Sequence, residues 1–387
     1  MLLGTSGKSA GLASRTEFDV VVIGGGPAGA ATAITVARAG GRVLLLDQND
    51  CQRVKAGESL PAAANHLLGN LGISQETLAD DHILSSGIQS SWGSQRLGTT
   101  HFIQDPRGHG WHLERLAFDA MLLREASACG VEIKRNAKVT RVNRDSRKGW
   151  TIGYCTHAAS LTVTTEWVAD CSGRQSRFAR QQGARRIHDD RLIAFVAFLK
   201  QSKPGSHASL YRMTLIESVE NGWWYCSPVP GEGFVLVYLT DADGQHVRRA
   251  RTMAGFLSLW HATHHIAQRV PPGSANEIVL VANQANSSRL DHCWGPGWVA
   301  GGDASVSFDP LSSQGIFNAL YSGIRAGEAL LRGIRGDLSL FPSYEKRLQT
   351  IYRIYLSRRN HYYSQERRWQ NSPFWLRRAR ESCEHEF

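Results

Sequence analysis

Apolar residues fall in two kinds of run along this chain. Short continuous runs, FDVVVI at 18–23 and RVLLLD at 42–47, have the pattern of strands buried on both faces, and the alanine-rich AATAITVARAG at 30–40 between them reads as a helix with few breakers. Together they predict a β-α-β unit ending at Asp47. LTVTTEWV (161–168) reads as a strand leading into ADCSGRQS, and WVAGGDASVSFDPLSSQGIFNAL (298–320) as a short strand, a glycine-rich turn and a helix that starts near Gln314 and Gly315. In the middle of the chain Trp92, Trp111, Phe195, Phe198, Trp223, Trp224, Tyr225 and Tyr238 lie in or near strands with alternating apolar residues. Beyond residue 346, aromatic and basic residues interleave. Their spacing predicts helices that lay Tyr352, Tyr355, Tyr362, Tyr363, Trp369, Phe374 and Trp375 on the body and hold arginines outward.

Composition narrows the class. With 387 residues, 42% of them hydrophobic and 20% charged, the chain has material for one large core or two smaller ones. No apolar run reaches the roughly 18 residues of a membrane span, and MLLGTSGKSAGLASR has no apolar signal-peptide region, so a cytoplasmic protein without a membrane span is expected. The seven cysteines (51, 129, 155, 171, 226, 293, 383) include no CxxC pair and read as reduced thiols. Much of the net charge of +10 is concentrated after residue 346, and no RNP, KH or zinc-finger pattern accompanies it, so no nucleic-acid partner is expected. HATHH places His261, His264 and His265 at helical i, i+3, i+4 spacing, but without a partner glutamate or second ligand cluster no metal is expected.

The β-α-β unit carries chemistry. Gly24, Gly26 and Gly29 in GGGPAG have G-x-G-x-x-G spacing between strand and helix: Gly24 for a tight turn, Gly26 for pyrophosphate approach, Gly29 for helix-on-strand packing. Pro27 and Ala28 open a helix whose N-terminus faces the phosphates, and Asp47, with Gln48 beside it, is placed for an adenosine ribose.

Asp170 and Gly173 in ADCSG, and Gly302 and Asp303 in GGDAS, resemble the Asp-Gly and Gly-Asp motifs of FAD-dependent aromatic monooxygenases and flavin-dependent halogenases. The resemblance implies that Asp303 holds the ribityl chain and that Gln314, Gly315 and Ile316 bring a helix start to the flavin edge. Asp303 also has a plain alternative as a helix cap. KAGESLPAAANHLLGNLGI is similar to the family's Gly-Glu-Ser/Thr-x-Pro loop, which puts Glu58 beside the flavin ring. Arg115 in ERLAFD matches the family's cofactor-contacting arginine, or is a surface arginine in a first turn, and Val139 in AKVTRV matches the strand that meets adenine. The implied fold is α/β: a Rossmann-like FAD-binding domain (17–90, 109–180 and 285–340), an inserted β-rich substrate domain (91–108 and 181–284) and a C-terminal helical cap (341–387).

GWWYCSP at 222–228 nearly spells the halogenase signature Gly-Trp-x-Trp-x-Ile-Pro, with Tyr225 for the second Trp and Ser227 for Ile. The lysine that delivers hypohalous acid in halogenases has no counterpart, since none occurs between Lys55 and Lys134. Ser312-Ser313-Gln314-Gly315 also departs from the family's Ser/Thr-Gly. These departures imply oxygen insertion through a flavin C4a-hydroperoxide rather than halogenation, with molecular oxygen as co-substrate and NAD(P)H or a separate flavin reductase supplying electrons. Glu58, His112, Pro310 and Gln314 are the catalytic candidates, and Trp92, Trp111, Trp223, Trp224 and Tyr225 the substrate-contact candidates. YYSQERRWQNSPFWLRR, SSWG and GWHLER resemble the flavoprotein maturases of tryptophylquinone enzymes, which implies a tryptophan in a partner protein as substrate. The rivals are a small-molecule aromatic hydroxylase, a halogenase, and a flavoprotein chaperone without turnover.

Overall fold

The computed structural model describes residues 17–49, 55–102, 105–145, 149–201, 212–231, 233–271 and 275–384. The N-terminal segment read for targeting and Cys51 lie outside them.

Strand Glu17–Ile23 sits at the centre of an eight-stranded sheet, parallel to Val43–Leu46 on one side and to Ser160–Asp170 on the other. Its apolar run is continuous because the strand is buried inside the sheet, with Val20, Val21 and Val22 all 0% exposed. Helix Pro27–Arg38 begins with proline, whose fixed φ suits a first turn. It packs on the long helix Gly315–Ile334 so closely that a Cβ at Gly323 would collide with the Ala28 carbonyl. Thr32 donates to both the Ala28 and Gly323 carbonyls and locks that contact. This is the Rossmann-like half of an α/β protein.

The second large sheet has seven strands in the order Ala275–Gln284, Leu192–Gln201, Gly233–Asp241, Gly222–Val229, Met213–Val219, Gly87–Ser91 and Gly98–His101. Both of its faces are covered. Trp224, Tyr238, Phe256 and Trp260 pack on one face, and Trp223, Leu239, Tyr363, Phe374 and Trp375 on the other. A small sheet, Ser59–Leu60 with Gly110–His112 and Ile83–Ser85, joins the two halves.

Two helices, Leu340–Ser364 and Pro373–Glu384, close the molecule. They bury Tyr352, Tyr355, Tyr363, Phe374 and Trp375, while Tyr362 stays 54% exposed. The outward arginines expected here hold only in part. Arg359 and Arg378 turn inward onto Asp190 at 2.7 Å and Asp241 at 2.9 Å, all four side chains being buried. Aspartates beside the large sheet need a counter-charge once the helices cover them, because a buried unpaired charge costs several kcal/mol.

HATHH does not form one helical face. Helix Met253–His261 ends at His261 and another begins at His265, because buried Glu217 accepts the backbone N–H groups of His264, His265 and Ile266 at 2.7–2.9 Å and fixes a new helix start there. Among the described residues no group of three His, Cys, Asp or Glu side chains is placed to hold a metal. Cys129, Cys155, Cys171, Cys226 and Cys293 are free thiols. Among the described residues no helix is long and apolar enough to cross a membrane.

Candidate active site

The glycine loop is built by close backbone approaches. Gly24 has φ +111°, and a Cβ there would collide with the Cys171 carbonyl; a Cβ at Gly29 would collide with the Gly24 carbonyl. Gly26 differs. Its added Cβ would meet no heavy atom within 4 Å, and it starts its helix without a side-chain cap, so the first-turn amides face open space. That is the geometry an anionic group needs. Asp47 lies against Gly25 and accepts the Asn49 N–H at 3.2 Å, Gln48 is exposed, and Val139 is half-buried on strand Lys138–Asp145.

Two strand ends meet this loop. Asp170 is 0% exposed and accepts N–H groups from Ser172 at 3.0 Å and Ala179 at 2.8 Å. These bonds shape the turn that carries Gly173. Asp303 is reachable, with 37% of its side chain exposed, and Arg174 Nε lies 3.4 Å from its carboxylate. Its alternative as a helix cap fails, since the following turn is capped by Asp309 and the long helix starts at Gln314.

Arg186 was missed by sequence reading. It is mostly buried and donates to the backbone carbonyls of Asp303 and Ala304 at 2.7 and 2.9 Å and to Ser176, Ser288 and Ser307, bracing the Gly302–Ala304 turn from behind. Burial pushes its guanidinium down to about 10, which leaves it charged at neutral pH. No local signal marks it, because its partners come from four separate segments.

The remaining candidates converge at the join between the halves. Arg115 donates to the Ala56 and Gly57 carbonyls and pairs with Asp119 at 3.2 Å, while Lys55 also reaches Asp119, at 2.7 Å. This clamp fixes the loop that presents Glu58, and a Cβ at Gly57 would lie 4.0 Å from Ile316 at the start of the long helix. Arg115 Nε is buried with no hydrogen-bond partner among the described residues, and Gly315 is exposed with open space at its missing Cβ. Gly26, Asp303, Arg115 and Gly315 together could hold a dinucleotide cofactor, with charge, amides and clearance on the right atoms.

GWWYCSP is strand Gly222–Val229, so its side chains alternate between faces. Trp224 faces away, stacked on Tyr238 at 4.8 Å, beside a cavity of about 430 Å³ that also touches Leu259 and His264. Trp223, Tyr225 and Ser227 face the join. The Tyr225 hydroxyl lies beside the Glu58 carboxyl, close enough for each to shift the other's titration. Burial raises the Glu58 carboxyl, against the opposing pull of the Glu58 and Gly57 amides, Arg115 and Tyr225; burial, then Glu58, pushes the Tyr225 hydroxyl well up.

His112 is 0% exposed, and burial pushes it down to about 4. Its Nε2 faces the Arg212 carbonyl at 3.1 Å, which can only accept, so Nδ1 is the acceptor and Ser227 Oγ donates to it at 2.9 Å. Thr214 and Ser59 continue the chain at 3.3 and 3.4 Å. Titration of His112 near neutral pH, the basis for expecting proton transfer from it, is thereby overturned: the ring is neutral and locked. Ser227→Ala leaves Nδ1 without its donor and should lower stability by about 1–3 kcal/mol. An unchanged denaturant midpoint would show that the hydroxyl contributes nothing.

The other aromatics take hydrogen-bond partners of their own. Trp111 is 3% exposed and donates to Asn65 at 2.9 Å within the Rossmann-like half. Trp92 donates to the Tyr362 carbonyl at 2.7 Å, and Trp223 to the Tyr363 hydroxyl at 2.9 Å, in a cluster with Trp375. That cluster reaches the loop before the long helix: Tyr363 donates to Asp309 at 2.7 Å, next to Pro310, and the Asp309 N–H donates to the Tyr355 hydroxyl. Burial, with Asp190 second, raises Asp309 to about 6. The C-terminal helices thus set the position of Pro310 and Gln314.

The family model described as an FAD binding domain matches residues 17–276. Over 365 residues, 94% of this chain and 97% of the relative, the sequence is 29% identical to LodB of Marinomonas mediterranea, whose name gives it an inferred FAD-dependent oxidoreductase activity. The myxobacterial chondrochloren halogenase CndH, a variant of the FAD-dependent halogenases, superposes with a TM-score of 0.84 at 25% identity, covering 94% of this chain and 86% of CndH. The peptidyl tryptophan dihydroxylase QhpG, essential for tryptophylquinone cofactor biogenesis, shares the fold with a TM-score of 0.74 at 22% identity, covering 94% of this chain and 79% of QhpG.

Proposed function

This chain belongs to the FAD binding domain family, as an FAD-dependent oxidoreductase of the aromatic monooxygenase and halogenase superfamily, and from that premise we propose that it hydroxylates an aromatic ring, the indole of a tryptophan in a partner protein. The observation that carries the reading is Lys55. Residues 56–133 contain no lysine, and Lys55, at the edge of the Glu58 loop, gives its ammonium to Asp119 at 2.7 Å. In that stretch no lysine is left to capture an electrophilic halogen. The near-full-length similarity to LodB supports an FAD-dependent oxidoreductase, and the fold shared with the peptidyl tryptophan dihydroxylase QhpG supports oxygen insertion on a protein substrate.

In this reading Gly26 and the first turn of Pro27–Arg38 would hold the pyrophosphate of FAD, Asp47 and Gln48 the ribose, Val139 the adenine, Asp303 the ribityl chain, and Gln314, Gly315 and Ile316 the flavin edge. Bound FAD supplies the electrons, drawn from NAD(P)H or a separate flavin reductase, and activates molecular oxygen. The chain's own residues orient and exclude water: Arg115 and Asp119 hold the loop, Glu58, whose burial favours the protonated carboxyl, sits beside Tyr225, and His112 with Ser227 fixes the strand that carries Tyr225. Pro310 and Gln314 shape the opposite wall.

Halogenation is the second reading, favoured by the similarity to CndH. One incubation separates the two: reduced, FAD-loaded protein, oxygen and bromide, with a tryptophan-bearing peptide and with free tryptophan, followed by mass analysis. A gain of about 16 or 32 mass units is expected on the peptide. A bromine isotope doublet would replace hydroxylation with halogenation, and a product confined to free tryptophan would remove the protein substrate.

A further inference from the structure

A groove of about 310 Å³ runs between the helices Gly315–Ile334 and Leu340–Ser364. Phe317 and Tyr321 on the first helix, stacked at 6.5 Å, face Ile351 and Ile354 on the second, and Ile354 is 48% exposed. Arg347 and Arg358 close the two ends. Along one helix they stand about 16 Å apart, the length of a short extended segment. Both are exposed, neither has an ion-pair partner among the described residues, and no carboxylate lines the groove. The groove also reaches Gln314 and Asn318, the start of the helix that borders the candidate active site.

We propose that this groove docks an acidic segment of the substrate protein, seating apolar side chains between Phe317 and Ile354 and delivering the aromatic residue beside Gln314. The proposal rests on the protein-substrate reading above. Charge complementarity chooses the occupant: two unpaired guanidinium groups at the ends of an apolar floor attract carboxylates and repel a basic segment, on a chain whose net charge is +10. Carboxylates at both ends fix the register of the segment, and the apolar floor fixes which face turns down.

The test uses FAD-loaded full chain and a labelled synthetic peptide with one tryptophan flanked by glutamates, with binding read by fluorescence anisotropy. The Arg347→Glu/Arg358→Glu double variant should weaken binding at least about tenfold, since each reversed contact changes attraction into repulsion. Arg353→Glu, on the same helix but outside the groove, should weaken it less than about threefold. FAD retention and melting temperature should match the parent in both. Equal losses in the two proteins would reduce the effect to net charge and overturn the proposal. So would unchanged peptide binding in the double variant, or NADH, rather than peptide, losing its binding there. A peptide that binds through the arginines yet gains no oxygen would leave the groove standing and sink the hydroxylation reading instead.

Discussion

Gly26→Val is expected to give a folded protein that no longer retains FAD, while Gly29→Ala fails to fold. All three loop glycines fit one motif, but the structure separates them. Gly26 has φ −77° and ψ −176°, open to any residue, and its Cβ would meet nothing of the chain within 4 Å. A valine there costs the fold little and projects into the space over the helix start. Overpacking against a bound group costs about 1–3 kcal/mol, a ten- to hundred-fold loss of affinity. At Gly29 the added methyl meets the Gly24 carbonyl in the strand-turn-helix core, where neither side can move without breaking the β-α-β unit. Flavin absorbance per protein and the apoprotein melting temperature check both. A yellow Gly26→Val protein with parental occupancy would take the pyrophosphate away from this loop.

Glu58→Gln should lower turnover by about 10²- to 10⁴-fold if the carboxyl carries a proton for the reaction. Its pH dependence tells more than its size. Burial holds the folded-state value above the ordinary carboxylate value, so the protonated form persists upward in pH and is lost as pH rises through the raised value. The parent should lose activity across that rise, and the variant should show no such limb. Tyr225→Phe sharpens the test: the Tyr225 hydroxyl lowers the Glu58 value, so its removal should move the limb to higher pH. Stability follows with a fixed sign. The contribution of a group raised on folding is full below its unfolded value and is lost as pH rises through the folded one. Glu58→Gln should therefore melt higher than the parent at neutral and alkaline pH, losing function as it gains stability. Parallel melting curves across pH would show that Glu58 is not buried as a charge-averse group.

The chemistry of the first β-α-β unit was legible because it is local. A parallel strand is a continuous apolar run, a tight turn needs glycine, and Pro27 and Asp47 mark the helix start and strand end within one short stretch. The same locality carried the strand–turn–helix around Asp303 and the helix that starts at Gly315. Where partners come from distant segments, local pattern gave the residue and not its use. Arg359 and Arg378 read as outward charges and are buried, because only the packed sheet puts Asp190 and Asp241 beneath them. Arg186 gave no signal at all, and HATHH looked continuous until Glu217 cut it.

GWWYCSP shows the division most directly. A strand period of two assigns Trp223, Tyr225 and Ser227 to one face and Trp224 and Cys226 to the other, and the sequence by itself determined that much, along with the FAD class and the missing lysine. Which face fronts the site was decided by tertiary structure alone. It depends on Glu58 and His112 arriving from far back in the chain to meet Tyr225 and Ser227, and contacts at that separation are set by how sheets pack, which no run of neighbouring residues encodes.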